Sequence, residues 1–336
     1  MLPWAERPTI DIDLAEPLRS RYVNVPAEAF AVASELLGGM KRAAPAKARL
    51  VAYWVRLRTW NRFHGEAVSL ARAGKHDWRD IMLANVAYDL ILATFGCSTV
   101  ALPTPSGPVV ARNMDFWPED LLARASYLLR VTRKGEPVFT SAGWPGAIGV
   151  VTGLSARGFA IVLNAVLCPE RFRSTGYPVL LHIRRVIEDA RDFDDALRML
   201  SQQTLATSAL FTLVGSRNEQ RVVIERTPTR HALRWADGDQ PLLTTNDYRM
   251  LHPPKTHGGA EIYETTCSRY DALCRFFAGH RPDEEVDDSA LLYILTDPSV
   301  IQEITAQHII LRPRQQTVRL LVPRRFMAAA PREMVR

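Results

Sequence analysis

The sequence holds little cysteine, and none of it is paired. Cys97, Cys168, Cys267 and Cys274 are the only four in 336 residues, and no two form a Cys-x-x-Cys motif. That excludes a zinc knuckle and a thioredoxin-type dithiol, and so sparse a set excludes a disulfide scaffold. The reading is a reducing compartment, the cytoplasm. Long apolar runs are missing too. Stretches such as Phe159–Cys168 are too short and interrupted to span a bilayer. Met1 to Arg7 has no apolar run behind a basic segment, so no secretory signal is read there. The eight histidines show no ligand spacing. No metal and no cofactor are therefore expected. Repeats and low-complexity segments are absent, and 47% apolar with 23% charged residues excludes a disordered chain.

What charge excess exists is local. The net charge is +6, and residues 41–79 carry ten Lys and Arg against two acids, Glu66 and Asp77. Trp54, Trp60, Phe63 and Trp78 are interleaved. Such a segment can lie on an anionic membrane surface, bind nucleic acid, or present a solvated face whose aromatics pack inward. No nucleic-acid motif accompanies it, and no nucleic-acid partner is expected.

Periodicity predicts helices over Ala27–Arg42, Ala46–Ala73 and Asp77–Thr94, after a short strand over Thr9–Leu14. The texture changes at Gly96-Cys97. Strands are predicted over Cys97–Leu102 and Val109–Asn113, joined by the turn Pro103-Thr-Pro-Ser-Gly-Pro108. Further strands follow at Tyr127–Thr132, Pro137–Ser141, Ala147–Thr152 and Phe159–Leu163. Two helices, Tyr177–Ile187 and Asp192–Gln202, lead into strands Ser208–Val214, Gln220–Arg226, His231–Trp235 and Leu242–Thr245. Helices Ser268–Phe277 and Asp288–Leu295 and strands His308–Arg312 and Thr317–Leu321 end the pattern. Runs of strands alternating with runs of helices predict a layered α+β body behind a helical arm.

The hairpin carries the chemistry. It returns Arg112 and Asp115 beside Cys97, where a guanidinium stabilises a thiolate and a carboxylate can hold an ammonium. Far downstream, Leu242-Leu-Thr-Thr-Asn246-Asp247 ends a strand on an amide, a candidate oxyanion donor.

These residues resemble the acid ceramidase and N-acylethanolamine-hydrolysing acid amidase family, choloylglycine hydrolase-like N-terminal-nucleophile (Ntn) cysteine amidohydrolases. The resemblance rests on six stretches in order. They are Pro8 to Leu14; Asn85-Val-Ala-Tyr-Asp-Leu90; Cys97-Ser-Thr-Val with Ala111-Arg-Asn-Met-Asp-Phe116; Gly143-Trp-Pro-Gly146 through Leu163-Asn164; Asp192 to Leu197; and Thr244-Thr-Asn-Asp247. It implies a four-layer αββα Ntn-hydrolase sandwich. Residues 1–96 would be a helical N-terminal segment that becomes the small subunit, 97–323 the catalytic domain and 324–336 a tail. It implies self-cleavage between Gly96 and Cys97 and a Cys97 thioester acyl-enzyme. Cys97, Arg112, Asp115, Asn246 and Arg269 would be catalytic, and Asn164, Trp144 and Trp117 would bind substrate. The substrate implied is a lipid amide of the N-acylethanolamine or ceramide type, with residues 41–79 meeting the membrane. Two departures stand out. Ala165 follows Leu163-Asn164 where acid ceramidase has Glu, and the arginine role moves to Ser268-Arg269-Tyr270. Alternatives are a choloylglycine or penicillin V acylase-type hydrolase, an acyltransferase using the same thioester, or a non-cleaving relative that binds lipid. A thiol-redox role is weaker, since no resolving Cys is close in sequence.

Overall fold

A computed structural model describes residues 3–43, 49–90, 95–252 and 264–327. Two sheets stack face to face. The eight-stranded sheet contains β2 (Thr9–Asp13), β5 (Tyr127–Arg133), β6 (Glu136–Gly143), β7 (Thr152–Ser155), β8 (Phe159–Asn164), β9 (Ala209–Val214), β10 (Arg221–Arg226) and β11 (His231–Trp235). Its order is β11-β10-β9-β8-β7-β6-β5-β2, antiparallel except for the parallel β2–β5 pair. The six-stranded sheet contains β1 (Trp4–Glu6), β3 (Phe95–Leu102), β4 (Val109–Phe116), β12 (Leu242–Thr244), β13 (Thr305–Arg312) and β14 (Thr317–Pro323). Its order is β1-β14-β13-β4-β3-β12.

Side-chain alternation builds the layers. Ala101, Val110, Ile309 and Leu320 from one sheet meet Leu128, Ala142, Ala160 and Leu210 from the other. Their neighbours one residue away point outward. Phe159, Ile161, Phe211 and Val222 pack under helices α7 (Val179–Asp189) and α8 (Phe193–Gln202). Val100, Leu102, Val109 and Leu243 pack under α9 (Thr266–Phe277) and α10 (Asp288–Leu295). The result is the expected αββα sandwich.

The N-terminal segment is less purely helical than expected. It contributes β1 to the edge of one sheet and β2 to the edge of the other. Its helices are α1 (Ala27–Ala43), α2 (Val51–Arg58), α3 (His64–Gly74), α4 (Trp78–Ala84) and α5 (Ala87–Leu90). They pack through Phe63, Leu70, Ile81 and Val86 onto Leu129 and Leu181 of the body.

Three expected elements are corrected. The long helix Ala46–Ala73 is two helices. Trp60 and Asn61 take φ of 50° and 60°, a left-handed turn that no α-helix continues through; residues 44–48 lie outside the described chain. The helix Asp77–Thr94 breaks at Asn85, and residues 91–94 are likewise outside. Asn85 also accounts for the third difference, because Ala147–Val151 is not a strand. Its Oδ1 accepts from the N–H groups of Ile148 and Gly149, at 2.6 and 2.8 Å. Val150 N–H donates to Leu180 O at 3.1 Å. With these amides engaged, no ladder forms until Thr152. Two elements without a clear pattern also appear, β1 and the short helix α6 (Glu119–Ala125).

The basic segment divides. Lys41 and Arg49 pair with Asp80, Arg62 pairs with Glu188 and Asp189, and Phe63 is buried. Against that, Trp60 is 90% exposed, beside exposed Leu57, Tyr53 and Leu50. No helix among the described residues is long and apolar enough to cross a membrane.

Candidate active site

Cys97 sits near the start of β3, opposite Met114 of β4, and Gly96 lies opposite Asp115. Alternation along β3 sends Cys97, Thr99 and Ala101 between the sheets and Ser98, Val100 and Leu102 towards α9 and α10. Cys97 is 3% exposed.

Every polar group of Cys97 is held. Arg112 Nη2 lies 2.7 Å from Sγ, and Sγ lies 3.6 Å from Leu163 O. The Cys97 N–H donates to Asn246 Oδ1 at 3.1 Å. Arg269 Nη1 donates to Cys97 O at 2.6 Å and to Ser98 Oγ at 2.9 Å. Arg269 Nη2 donates to Asn246 Oδ1 at 2.8 Å, and Asn246 Nδ2 donates to Ala165 O at 2.8 Å. Four chain segments thus converge on one residue.

Asp115 is fully buried. Its Oδ1 accepts from Thr305 Oγ1 at 2.6 Å, while its Oδ2 has no hydrogen-bond partner. Burial pushes its carboxyl above the ordinary range, against the pull of Arg269, Thr305 and Arg112. Burial also pushes the Cys97 thiol up. Arg112 opposes that, Asp115 adds to it, and the Ala165 N–H and Arg269 favour the thiolate. Position 165 therefore meets the site through its main chain, which a shorter side chain leaves in place.

The structure brings Cys97, Arg112, Asp115, Asn246 and Arg269 together. It treats the other three expected residues differently. Asn164 is buried with its amide already committed. Oδ1 accepts from Thr99 Oγ1 at 2.8 Å, and Nδ2 donates to the carbonyls of Thr244 and Thr245 at 3.2 and 3.0 Å. It ties the two sheets together and leaves no amide hydrogen for a substrate. Trp144 is packed in the core, where it lines a small cavity with Ile10, Tyr22, Leu70 and Leu129 at the seam with the N-terminal segment. Trp117 is 64% exposed just after β4. Neither takes part in the hydrogen-bonded cluster around Cys97. A larger cleft of about 490 Å³, lined by Gly107, Ser216, Arg217 and Arg314, lies at the β3–β4 turn end of the sheets.

Sequence reading missed a set of hydroxyls. Arg112 Nη1 donates to Thr152 Oγ1 at 2.6 Å, fixing the guanidinium from the facing sheet. Thr266 Oγ1 accepts from Asn246 N–H at 2.9 Å, and Thr265 Oγ1 accepts from Arg269 Nε at 3.0 Å. Thr152 stood in a motif already singled out, whereas Thr305 had no signal beyond its nearness to a predicted strand. Among the described residues, no group of three His, Cys, Asp or Glu side chains is placed to hold a metal ion.

Comparison with known proteins gives this geometry a setting. The family described as acyl-coenzyme A:6-aminopenicillanic acid acyl-transferase matches residues 102–293. The 40 kDa form of the Emericella nidulans acyl-coenzyme A:6-aminopenicillanic-acid-acyltransferase is 29% identical over 201 residues, covering 58% of this chain and 54% of that protein. Acid ceramidase of Balaenoptera acutorostrata scammoni is 25% identical over 193 residues, 49% of this chain and 47% of the relative. The matches thus span about half the length of these curated relatives. Among solved structures, the Caenorhabditis elegans N-acylethanolamine-hydrolyzing acid amidase ortholog aligns with a TM-score of 0.53 at 18% identity, over 65% of this chain and 93% of that one, a likeness of fold. The chain therefore belongs to the acyl-coenzyme A:6-aminopenicillanic acid acyl-transferase family, within the acid ceramidase-like Ntn hydrolases.

Proposed function

We propose that this protein is a self-processing Ntn cysteine amidase that hydrolyses N-acyl lipid amides through Cys97. The observation that carries the reading is the enclosure of Cys97, whose Sγ, N–H and carbonyl are held by Arg112, Asn246 and Arg269.

In the first reaction, Cys97 Sγ attacks the Gly96 carbonyl carbon and takes the acyl group from the Cys97 nitrogen. Water cleaves the resulting thioester. Gly96 leaves as a carboxylate and Cys97 gains a free α-amine, a group that ordinarily titrates near about 8. Residues 1–96 then form one subunit, and the catalytic domain 97–323 with its tail 324–336 the other. Asp115, opposite Gly96 with one unpartnered oxygen, is the acceptor for the new ammonium.

In turnover, the amine takes the thiol proton and the thiolate, favoured by Arg112, attacks the substrate amide. Asn246 Nδ2 has one N–H beyond the one given to Ala165 O, and it serves the tetrahedral oxyanion. The leaving amine takes the proton from the Cys97 ammonium. Water then releases the fatty acid, or an acceptor amine takes the acyl group. The relative from Emericella nidulans, named an acyltransferase, keeps that second outcome in view. The exposed Trp60, Leu57 and Tyr53, on a segment rich in Arg and Lys, support a docking role for the N-terminal segment at an anionic lipid surface.

The test is an intact mass of the purified protein across acidic and neutral pH. Fragments corresponding to residues 1–96 and 97–336, together with fatty acid released from N-acylethanolamines or ceramides, support the reading. A mass that stays whole at every pH removes the free-amine mechanism.

A further inference from the structure

We infer that Thr305 is a positioning residue for Asp115: a bulge in β13 delivers its hydroxyl to one carboxyl oxygen and so reserves the other, Oδ2, for the amine of Cys97. This rests on the amidase reading above and adds a residue to its machinery.

The bulge decides which side chain Asp115 meets. Leu311, Ile310, Ile309, His308 and Gln307 of β13 stand in step opposite Val110, Ala111, Arg112, Asn113 and Met114 of β4. Continued in step, the pairing would set Ala306 opposite Asp115, and a methyl group offers a carboxyl nothing. The register shifts there, and Thr305 takes the place instead. Pairing resumes beyond it, with Phe116 N–H donating to Ile304 O at 3.0 Å. Ala306 joins the apolar cluster of Met114 and Leu122. An extra residue in one strand is a means of re-aiming a side chain beside a site.

The direction of the hydroxyl is fixed as well. Thr305 Oγ1 lies 2.6 Å from Asp115 Oδ1, and both residues are fully buried. Gln302 N–H donates to the same Oγ1 at 2.9 Å, and Thr305 N–H donates back to Gln302 O at 3.0 Å. With Oγ1 accepting from Gln302, its single hydrogen goes to Oδ1. Any proton on the carboxyl then sits on Oδ2, the oxygen without a partner. Gln302 Oε1 also accepts from Thr265 Oγ1 at 3.1 Å, and Thr265 Oγ1 accepts from Arg269 Nε at 3.0 Å. The hydroxyl that holds Asp115 is thus braced on the arginine that holds Cys97 O.

Among the described residues, the charged or titratable groups around Asp115 are Arg112 of its own strand, Arg269 of α9 and the Cys97 thiol of β3. His308 of β13 is turned to Asn113 at 2.7 Å, and Asp288 of α10 is paired with Arg312 and Arg319. Against burial, the Thr305 hydroxyl favours the ionised carboxyl. Without it, the carboxylate that accepts the ammonium forms only at higher pH.

The experiment follows self-cleavage, and kcat/KM on N-lauroylethanolamine, from acidic to alkaline pH in the wild type, Thr305→Val and Thr305→Ser. Valine keeps the branched shape without the hydroxyl, and serine restores the hydroxyl. In whichever of the two reactions the wild type performs, Thr305→Val should lose at least about tenfold at the wild-type optimum, and its acid limb should move up by about one pH unit. Thr305→Ser should return both to near wild type. A Thr305→Val profile that is unchanged or lowered equally at every pH, or a loss that Thr305→Ser does not restore, overturns the inference. If Thr305→Val does not fold, Thr305→Ala is judged by the same criteria. If the wild type performs neither reaction, the amidase reading fails and Thr305 is read on the carboxyl itself, by carbon NMR of protein labelled at the aspartate carboxyls, with Asp115→Asn assigning the signal. A titration that moves to higher pH in Thr305→Val and returns in Thr305→Ser supports the positioning role; an unmoved titration overturns it.

Discussion

Arg112 holds Cys97 Sγ from 2.7 Å on one hand and Thr152 of the facing sheet on the other. The guanidinium is thereby fixed against the sulfur, and it is the largest influence opposing the burial that raises the thiol. Arg112→Gln removes that opposition, so the thiol titrates higher still. At neutral pH the variant should lose about two orders of magnitude in amide turnover. The pH profile of iodoacetamide inactivation of the cleaved protein should move to higher pH. An unchanged profile would mean that Arg112 only braces the sheets.

Asp115 offers a test that separates activity from stability. Its carboxyl is raised by burial, so ionisation weakens the fold as pH rises through its folded value, and the stabilising neutral form prevails at acidic pH. Asp115→Asn keeps an acceptor for Thr305 and removes that burden. The variant should match or exceed the wild-type Tm at pH 8, with the advantage fading towards pH 4, while processing and turnover collapse. A variant that is both stable and fully active would remove Asp115 from the mechanism.

Much of this site was legible because it is local. Cys97, Arg112 and Asp115 share one hairpin, whose turn chemistry and alternation are written in consecutive residues. Asn246 was legible as an amide at a strand end and Arg269 came from resemblance, but their meeting at Cys97 depends on β12 pairing with β3 and α9 packing over it. Asn164 was placed correctly at a strand end, yet its hydrogen bonds to Thr99, Thr244 and Thr245 depend on the stacking of two sheets, which periodicity does not encode. The helix over Ala46–Ala73 failed for a local reason. Trp60 and Asn61 are ordinary residues in left-handed conformations, and only a glycine there would have signalled the break.

Asn85 fixes the segment between β6 and β7 to the N-terminal helices. Its side chain accepts from Ile148 and Gly149 and donates to the Ile81 and Gly146 carbonyls. Asn85→Ala leaves two buried amides without acceptors, which costs about 3 kcal/mol. Chemical denaturation should show that loss, with the slope unchanged. A loss under about 1 kcal/mol would show that water or a backbone shift satisfies the amides instead.

Asp89 links the N-terminal segment to the body with a titratable group. It is buried on α5, and its two oxygens accept from Val179 N–H, at 3.1 and 3.3 Å, at the start of α7. Burial raises its pKa to about 7, and the amide bonds lower it only in part. The folded value exceeds the unfolded one, so the stability it contributes is full below about pH 4 and is lost as pH rises through about 7. The whole effect is on the order of a few kcal/mol. Wild-type Tm should therefore fall between pH 5 and pH 8, and Asp89→Asn should flatten that fall. An identical fall in both proteins would place the pH dependence elsewhere.

The N-terminal segment should outlast its own release. β1 is hydrogen-bonded to β14 of one sheet, and β2 to β5 of the other, so cutting after Gly96 leaves a strand in each sheet. Arg184 of α7, buried in the body, pairs with Glu66 of α3, and Arg62 reaches Glu188 and Asp189. Arg184 also pairs with Glu188 of its own helix, so removing Glu66 takes one of its two carboxylates, at a cost of about 1.5–3 kcal/mol. After processing, the two fragments should co-elute on gel filtration and separate only in denaturant. Glu66→Ala should be the variant that loosens them first. Fragments that separate in plain buffer would mean that the strands and the ion pairs hold the segment only while the chain is whole.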